Sequence, residues 1–544
     1  MTISEKIYIL RRDAGMSQDE LAEKLDVSRQ SISKWESGRV LPDSDKILAL
    51  SELFGVTTDF LLKDSEEFAE PQNETEEPEE PVTDAIIPQK SGSDKDTAEI
   101  PVINETPASP KKKNRFGKRI IAVFAVLCIL IAAFAVPYKF GAYDKILNKV
   151  SEEPVSYPYI LVHGLGGWGP ESKINETVPY WGNTAGDLAK YMTRQGSETY
   201  EASVGPFSST WDRTCELYAQ LTGTTVDYGE AHSRAHGHDR YGKAYTAPLF
   251  EGWGSKTEAG QIKKINLVGH SFGGETVRLL TSLMAYGSDT ERAAGGEVSP
   301  LFEGGKVDWI NSITTLCSPH NGSTLFYVVD RYKLVELILD IVYKAGGISS
   351  ATPISDFYNF GLDHFNHSDV SDPKTLIDDV FCSGTDNAAY DLSPEGAAEL
   401  NKTIKTVDSI YYFSYSYVTT QKSALTGHQI PVLKTLPVLI PTATLMGKYS
   451  QNTVSDFPID ETWLPNDGLV NVVSAKYPAG EQWQAFDSEN IVRGKWNVMP
   501  TRDGDHGTVI GLYADAEKTR TFYNELAEMI NALPRDRKIY LDVF

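Results

Sequence analysis

The sequence predicts a multidomain chain with three structured parts. They are a small all-α bundle, a single transmembrane-length helix and a large α/β domain on a mostly parallel sheet. Three observations carry this. Residues 1–64 hold short amphipathic helical segments. Ile120 to Val136, "IIAVFAVLCILIAAFAV", runs without a charge. From Tyr157 onward, apolar strand-like runs end in glycine-rich turns and alternate with helical patterns, the layout of a buried parallel sheet.

The totals bound the reading. A chain of 544 residues suits about three or four domain-sized units. With 41% apolar and 23% charged residues it is globular in composition. The net charge of -24 excludes whole-chain attraction to nucleic acid, so any DNA contact must be local. Four cysteines, Cys128 in the apolar run and Cys215, Cys317 and Cys382 beyond it, are too sparse for a disulfide framework. All ten histidines follow residue 160, which confines histidine chemistry to the large domain.

Within residues 1–64, Ser17-x-x-Glu20 is a capping box and starts a helix. Leu21, Ala22 and Leu25 form one apolar stripe, Ile32 and Trp35 another, with the short turn "DV" between the two helices. This is helix-turn-helix spacing, and the second helix is the one that enters a major groove. Ser28, Arg29, Gln30, Ser33 and Lys34 are suited to hydrogen-bond base edges or phosphates. A helical bundle that binds a protein partner is the alternative. Residues 65–118 form an acidic, proline-rich linker, "NETEEPEEPVTD" in part, ending in a basic cluster. Its composition predicts disorder.

Residues 119–138 read as the transmembrane helix. Seventeen helical residues reach roughly 26 Å, the short end of a span; a buried core helix is the alternative. Six Lys/Arg precede the run and three follow closely, so the N-terminus is expected in the cytoplasm and the rest outside.

Residues 150–544 carry the chemistry. In "INLVGHSFGGETVRLL", Gly269-x-Ser271-x-Gly273 sits between a strand and a helix and predicts a nucleophile elbow with Ser271 at its tip. The N–H of Phe272 would form half an oxyanion hole, and the N–H of Leu165 in "HGLGGWG" the other half. Five histidines follow the serine: His320, His364, His367, His428 and His506. His506 lies late, in "GDHG", where the base of such a fold belongs. Asp467 in "LPNDGLVNV" is the expected acid, with Asp363, Asp391 and Asp460 as rivals. These features predict an α/β-hydrolase.

Two family resemblances sharpen these readings. Residues 3–63, with "SQDELAEKLDVSRQSISKWESG", resemble the XRE/Cro-repressor helix-turn-helix family. That resemblance implies DNA as partner. It places Gln18 on a phosphate and Arg29, Gln30, Ser33 and Lys34 in the groove, with a homodimer expected for tight operator binding. Residues 157–530 resemble the staphylococcal and thermoalkalophilic bacterial lipases. The stretches "LVHGLGGWG", "STWDRTCELYAQLTGTTVDYGEAHSRAHGH", "TDNAAYDLSPEGAAELN", "WLPNDGLVNVVS" and "GDHGTVIG" fall in order.

The lipase resemblance implies a Ser271, Asp467, His506 triad, a lipid or ester substrate and a zinc-binding insertion. The structural zinc would be held by Asp212, His232, His238 and Asp386, with His236 a bystander or an alternative ligand. Two Asp and two His suit tetrahedral zinc. The family's calcium site is expected to be absent, because Thr508 and Tyr513 stand where carboxylates are needed, the segment at Lys434 has diverged, and Asp515 would need a register shift. "DRYKLVELILDIVYKAG" is an amphipathic lid or, alternatively, a core helix.

The expectation is thus a single-pass bacterial cell-membrane protein with a cytoplasmic DNA reader and an extracytoplasmic acylglycerol lipase or esterase. The alternatives are a transmembrane transcriptional regulator whose lipase-like domain senses lipid, and an N-terminal module that is mainly a protein-interaction or anchoring element.

Overall fold

The computed structural model describes most of residues 3–61 and 157–534. The breaks are 15, 26, 37–41, 43, 55 and 57–60 in the first stretch, and 259, 347–356, 366–380, 382–383 and 452–458 in the second. The linker at 65–118 and the apolar run at 119–138 lie outside the described residues. Among the described residues no helix is long and apolar enough to cross a membrane.

The N-terminal stretch contains α1 (Ile3–Asp13), α2 (Gln18–Lys24), α3 (Arg29–Glu36) and α4 (Ser44–Phe54). The capping box forms as expected. Ser17 Oγ accepts from Glu20 N at 3.1 Å, and Glu20 Oε2 accepts from Ser17 N at 2.6 Å. Leu21, Ala22, Leu25, Ile32 and Trp35 are buried, which is why the two stripes dictate two helices. The opposite face of α3 is polar and open: Arg29, Gln30, Ser33 and Lys34 are exposed, as is Ser28 just before it, while Gln18 is half-buried.

The large domain is organised by one seven-stranded sheet. Its strands are β1 (Tyr159–Val162), β2 (Thr199–Ala202), β3 (Ile265–His270), β4 (Ile310–Leu316), β5 (Tyr411–Tyr415), β6 (Trp483–Ala485) and β7 (Trp496–Val498), in the order β6-β7-β5-β4-β3-β1-β2. Every neighbouring pair is parallel. Both faces are covered, so inner strands read as apolar runs whose side chains alternate between two cores. Tyr159, Leu161, Val268, Leu316 and Phe413 enter one core; Ile160, Val162, Leu267, Ile313 and Tyr412 enter the other.

The helices that matter for the site are α5 (Thr210–Thr222), α6 (Glu230–His236), α7 (Gly273–Tyr286), α8 (Arg331–Gly346) and α9 (Ala516–Asn531). Helix α6 lies inside an antiparallel pair, Thr225–Asp227 with Tyr241–Ala244, which forms the inserted hairpin. Helix α8 realises the amphipathic segment. Its Leu334, Val335, Ile338 and Val342 join the core that also holds Tyr159 and Phe272. Because β1, β3, β4 and β5 run the same way, the loops that leave them gather at one edge, the carboxyl edge where open parallel sheets bind ligands.

Candidate active site

Ser271 follows β3 and precedes α7. Its φ is +53°, a left-handed conformation that a non-glycine residue adopts only under constraint. The constraint is visible. Ser271 N donates to Leu316 O at 2.8 Å, and Gly274 N donates to Ser271 O at 2.9 Å. The turn closes because its neighbours lack side chains. A Cβ on Gly273 would sit 2.1 Å from Val162 O, and one on Gly164 would sit 2.6 Å from Ser271 Cβ. The same crowding brings the Gly164–Leu165 loop against the serine. Phe272 is the first residue in helical conformation before α7, so its N–H belongs to the unpaired amides of a helix start.

His506 Nδ1 lies 2.8 Å from Asp467 Oδ2. The other carboxylate oxygen of Asp467 accepts from Leu469 N at 3.0 Å and Val470 N at 2.7 Å. His506 N also donates to Asp467 O at 2.9 Å. The acid is therefore fixed by a tight turn and in turn fixes the imidazole. Ser271 and His506 line one apolar cavity together with Leu165 and Ile510, roofed by Leu337, Ile338 and Ile341 of α8.

The rivals for the acid are engaged elsewhere. Asp391 accepts from Thr210 N at 2.6 Å, Asp363 from Asn359 Nδ2 at 3.1 Å, and Asp460 from Thr462 N at 2.9 Å. Of the other histidines, His320 is buried against Trp496, His364 hydrogen-bonds Asp212, His428 is exposed, and His367 lies outside the described residues.

Several residues around Ser271, Asp467 and His506 carry no local sequence signal. Tyr180 OH accepts from Gly164 N at 3.1 Å and lies 2.7 Å from His270 Nδ1, while His270 Nε2 lies 3.0 Å from His506 O. A carbonyl only accepts, so His270 carries its proton on Nε2 and receives the Tyr180 hydroxyl on Nδ1. This chain joins the Gly164 loop, the elbow and the His506 loop. Burial holds His270 well below the usual histidine range, so it stays neutral. Cys317, also left-handed at φ +53°, lies beside Asp467, and burial together with that charge pushes its thiol well up.

The metal candidates also converge. His232 Nε2 is 3.2 Å from Asp212 Oδ1 and 3.3 Å from Asp386 Oδ1, and His238 Nε2 is 3.3 Å from Asp386 Oδ2. Each of the four residues turns one buried atom inward that has no hydrogen-bond partner: Asp212 Oδ1, His232 Nε2, His238 Nε2 and Asp386 Oδ2. A tetrahedral ion with arms of about 2.1 Å has ligand–ligand edges of about 3.4 Å; these three contacts are close to that, while the His238 Nε2–Asp212 Oδ1 edge is longer at 4.0 Å. His238 Nδ1 donates to Asp239 O at 2.9 Å, leaving Nε2 as the free lone pair. His364 Nε2 braces Asp212 Oδ2 at 3.0 Å, and exposed His236 stands 4.0 Å from Asp386. Thr508, which the resemblance places at a calcium-ligand position, donates its hydroxyl to Asp505 Oδ1 at 3.0 Å. Tyr513 is exposed and Asp515 caps α9.

Residues 155–539 match the family described as "Lipase-like, C-terminal domain". The chain belongs to that family. Residues 7–61 match the helix-turn-helix family. The EstA structure from Clostridium botulinum is 36% identical, with a TM-score of 0.64 over 71% of this chain and 90% of that one. Lipase 1 from Pelosinus fermentans is likewise 36% identical, with a TM-score of 0.62 over 70% of this chain and all of that one. The lipase of Staphylococcus epidermidis is 33% identical over 391 residues, 70% of this chain and 53% of the relative. The chain thus spans about half the length of the curated relatives it matches, and the shared part is the lipase-like domain.

Proposed function

We propose that the large domain hydrolyses carboxylic esters, most readily acylglycerols, through an acyl-Ser271 intermediate. The observation that carries this is a buried Asp467–His506 pair beside a strained, cavity-facing serine. His506, oriented by Asp467, would take the Ser271 proton as Oγ attacks the ester carbonyl. The N–H groups of Leu165 and Phe272 would receive the charge that builds on the carbonyl oxygen. The leaving alcohol would take the proton back from His506, and water activated by the same imidazole would release the fatty acid. The apolar cavity suits an acyl chain. Ser271→Ala in the full chain should abolish p-nitrophenyl ester turnover, and retained turnover would overturn the assignment.

Asp212, His232, His238 and Asp386 are proposed to hold a structural divalent metal, zinc by family resemblance. It would pin the inserted hairpin to the start of α5. The exposed polar face of α3, with Gln18 and Ser28 beside it, is the proposed DNA contact, used as a homodimer. Residues 119–138 are proposed as a single membrane span, with the reader cytoplasmic and the hydrolase outside. The α3 face favours a second reading in which the chain is a membrane-bound regulator whose hydrolase domain senses lipid. Footprinting by the full chain in detergent, with and without long-chain ester, would show whether DNA occupancy follows the ligand.

A further inference from the structure

Arg213 is fully buried on α5, one residue after Asp212, and no step of the proposed chemistry uses it. Its three donating nitrogens reach three separate elements. Nε donates to Thr276 Oγ1 at 2.9 Å, in the first turn of α7. Nη1 donates to Gly205 O at 2.7 Å, and Nη2 to His163 O, the carbonyl directly before Gly164 and Leu165. Its guanidinium carbon also lies 4.6 Å from the centroid of the Phe272 ring. The two residues proposed to supply the oxyanion-hole N–H groups are thus tied to one planar cation, Leu165 through His163 and Phe272 through its ring.

A buried cation is an expensive way to fill a core, where an apolar side chain of similar volume packs as well or better. The fork earns its place by directionality, since a planar guanidinium fixes several acceptors at set angles and an ammonium does not. Burial pushes Arg213 down to about 10, so it remains charged at neutral pH. Burial also pushes neighbouring His163 down to about 3, keeping it neutral beside that charge. His163 Nε2 accepts from Val204 N at 3.3 Å and Nδ1 donates to Gly164 O at 3.0 Å, which stiffens the same loop.

We propose that Arg213 is a positioning residue that sets the spacing between the two halves of the oxyanion hole. The inference rests on the ester-hydrolase reading of Ser271 and deepens it. It places a determinant of rate on the helix that carries the candidate metal ligand Asp212, outside the proposed triad.

The test compares Arg213→Lys, Arg213→Met and Val277→Ala in the full chain. Val277 is a core residue of α7, so its truncation is a stability control. Both Arg213 variants should lower kcat for p-nitrophenyl butyrate by about 10- to 100-fold, with KM within about threefold. Phosphonylation of Ser271 by a p-nitrophenyl alkylphosphonate, which passes through the same kind of oxyanion, should slow in the same ratio. Val277→Ala should lower Tm yet keep kcat within about twofold. If Arg213→Met fails to fold, Arg213→Lys decides, together with Thr276→Val, which removes one acceptor. A lysine variant with kcat within twofold of the parent overturns the proposal, as does a Val277→Ala loss of kcat equal to that of the lysine variant at a matched fall in Tm. A parent chain without turnover, or an active Ser271→Ala, overturns the ester-hydrolase reading and this proposal with it.

Discussion

Asp467→Asn should abolish the proposed ester hydrolysis without unfolding the chain, because the turn around Asp467 dictates how the new amide sits. In the parent, Oδ1 accepts two backbone amides, from Leu469 and Val470, and Oδ2 faces His506 Nδ1 at 2.8 Å. An asparagine keeps its carbonyl oxygen where the two amides donate. Its NH2 group then occupies the Oδ2 position and donates to Nδ1. The imidazole must accept there, so its proton moves to Nε2, the atom that has to take the proton of Ser271. Wrong-tautomer variants of this kind lose about 10⁴ in kcat, or about 5.4 kcal/mol of transition-state stabilisation at 1.36 kcal/mol per decade. The assay is kcat for p-nitrophenyl butyrate in the full chain at pH 7.5 (a working value of about that size suits a histidine base), with thermal melts to confirm the fold. Asp363→Asn and Asp460→Asn, the rival acids, should stay within about threefold. A folded Asp467→Asn enzyme within tenfold of the parent would refute the tautomer argument.

Three further outcomes follow from the same structure. A strong chelator should lower the melting temperature by on the order of 10 °C, with His238→Ala doing the same without chelator, because both leave converging buried donors uncompensated; an unchanged melt in chelator, with no metal released, would refute the site. Glu275 is buried with both carboxylate oxygens lacking a hydrogen-bond partner, and burial raises it to about 8 from its usual 4.5. The unfolded chain ionises first, so this group's contribution is intact below about 4.5 and is lost as pH rises towards 8, at up to about 1.4 kcal/mol per pH unit. Glu275→Gln should therefore raise Tm relative to the parent more at pH 8 than at pH 5, and an equal gain at both would count against the assignment. Ser17→Ala should cost the N-terminal helices about 1 kcal/mol through loss of the cap, readable as an earlier unfolding transition of that segment in denaturant.

What could be read from the sequence was whatever is encoded locally. The capping box at Ser17 and Glu20, the apolar run of β1 and the elbow at Ser271 each depend on residues within a few positions of one another. The His506–Asp467 pair was legible for another reason. His506 and Asp467 are 39 residues apart, but each sits in a short motif with a fixed place in the chain order of this fold. Arg213 and Tyr180 had no such marker. Arg213 reaches back 50 residues to His163 and forward 63 to Thr276, and Tyr180 is 90 residues from His270. Nothing in the local composition at those positions distinguishes a structural bridge from an ordinary buried side chain. Residues 119–138 were legible by hydropathy alone and lie outside the described residues, so the membrane reading rests on sequence.

Helix α8 turns the active site into a question of solvent. Leu334, Val335, Ile338 and Val342 belong to the main core, and Leu337 and Ile341 close the cavity over Ser271. Lifting the helix into water would strip at least four core side chains of their cover, at about 1.5–3 kcal/mol each, or about 6–12 kcal/mol together. At that cost fewer than about one molecule in ten thousand stands open in water. An oil surface removes the penalty, because the stripe that leaves one apolar phase enters another. If the domain hydrolyses esters as proposed, the helix would work as a phase detector. The free energy that holds it against the core in water would then be the free energy that an ester droplet supplies to lift it.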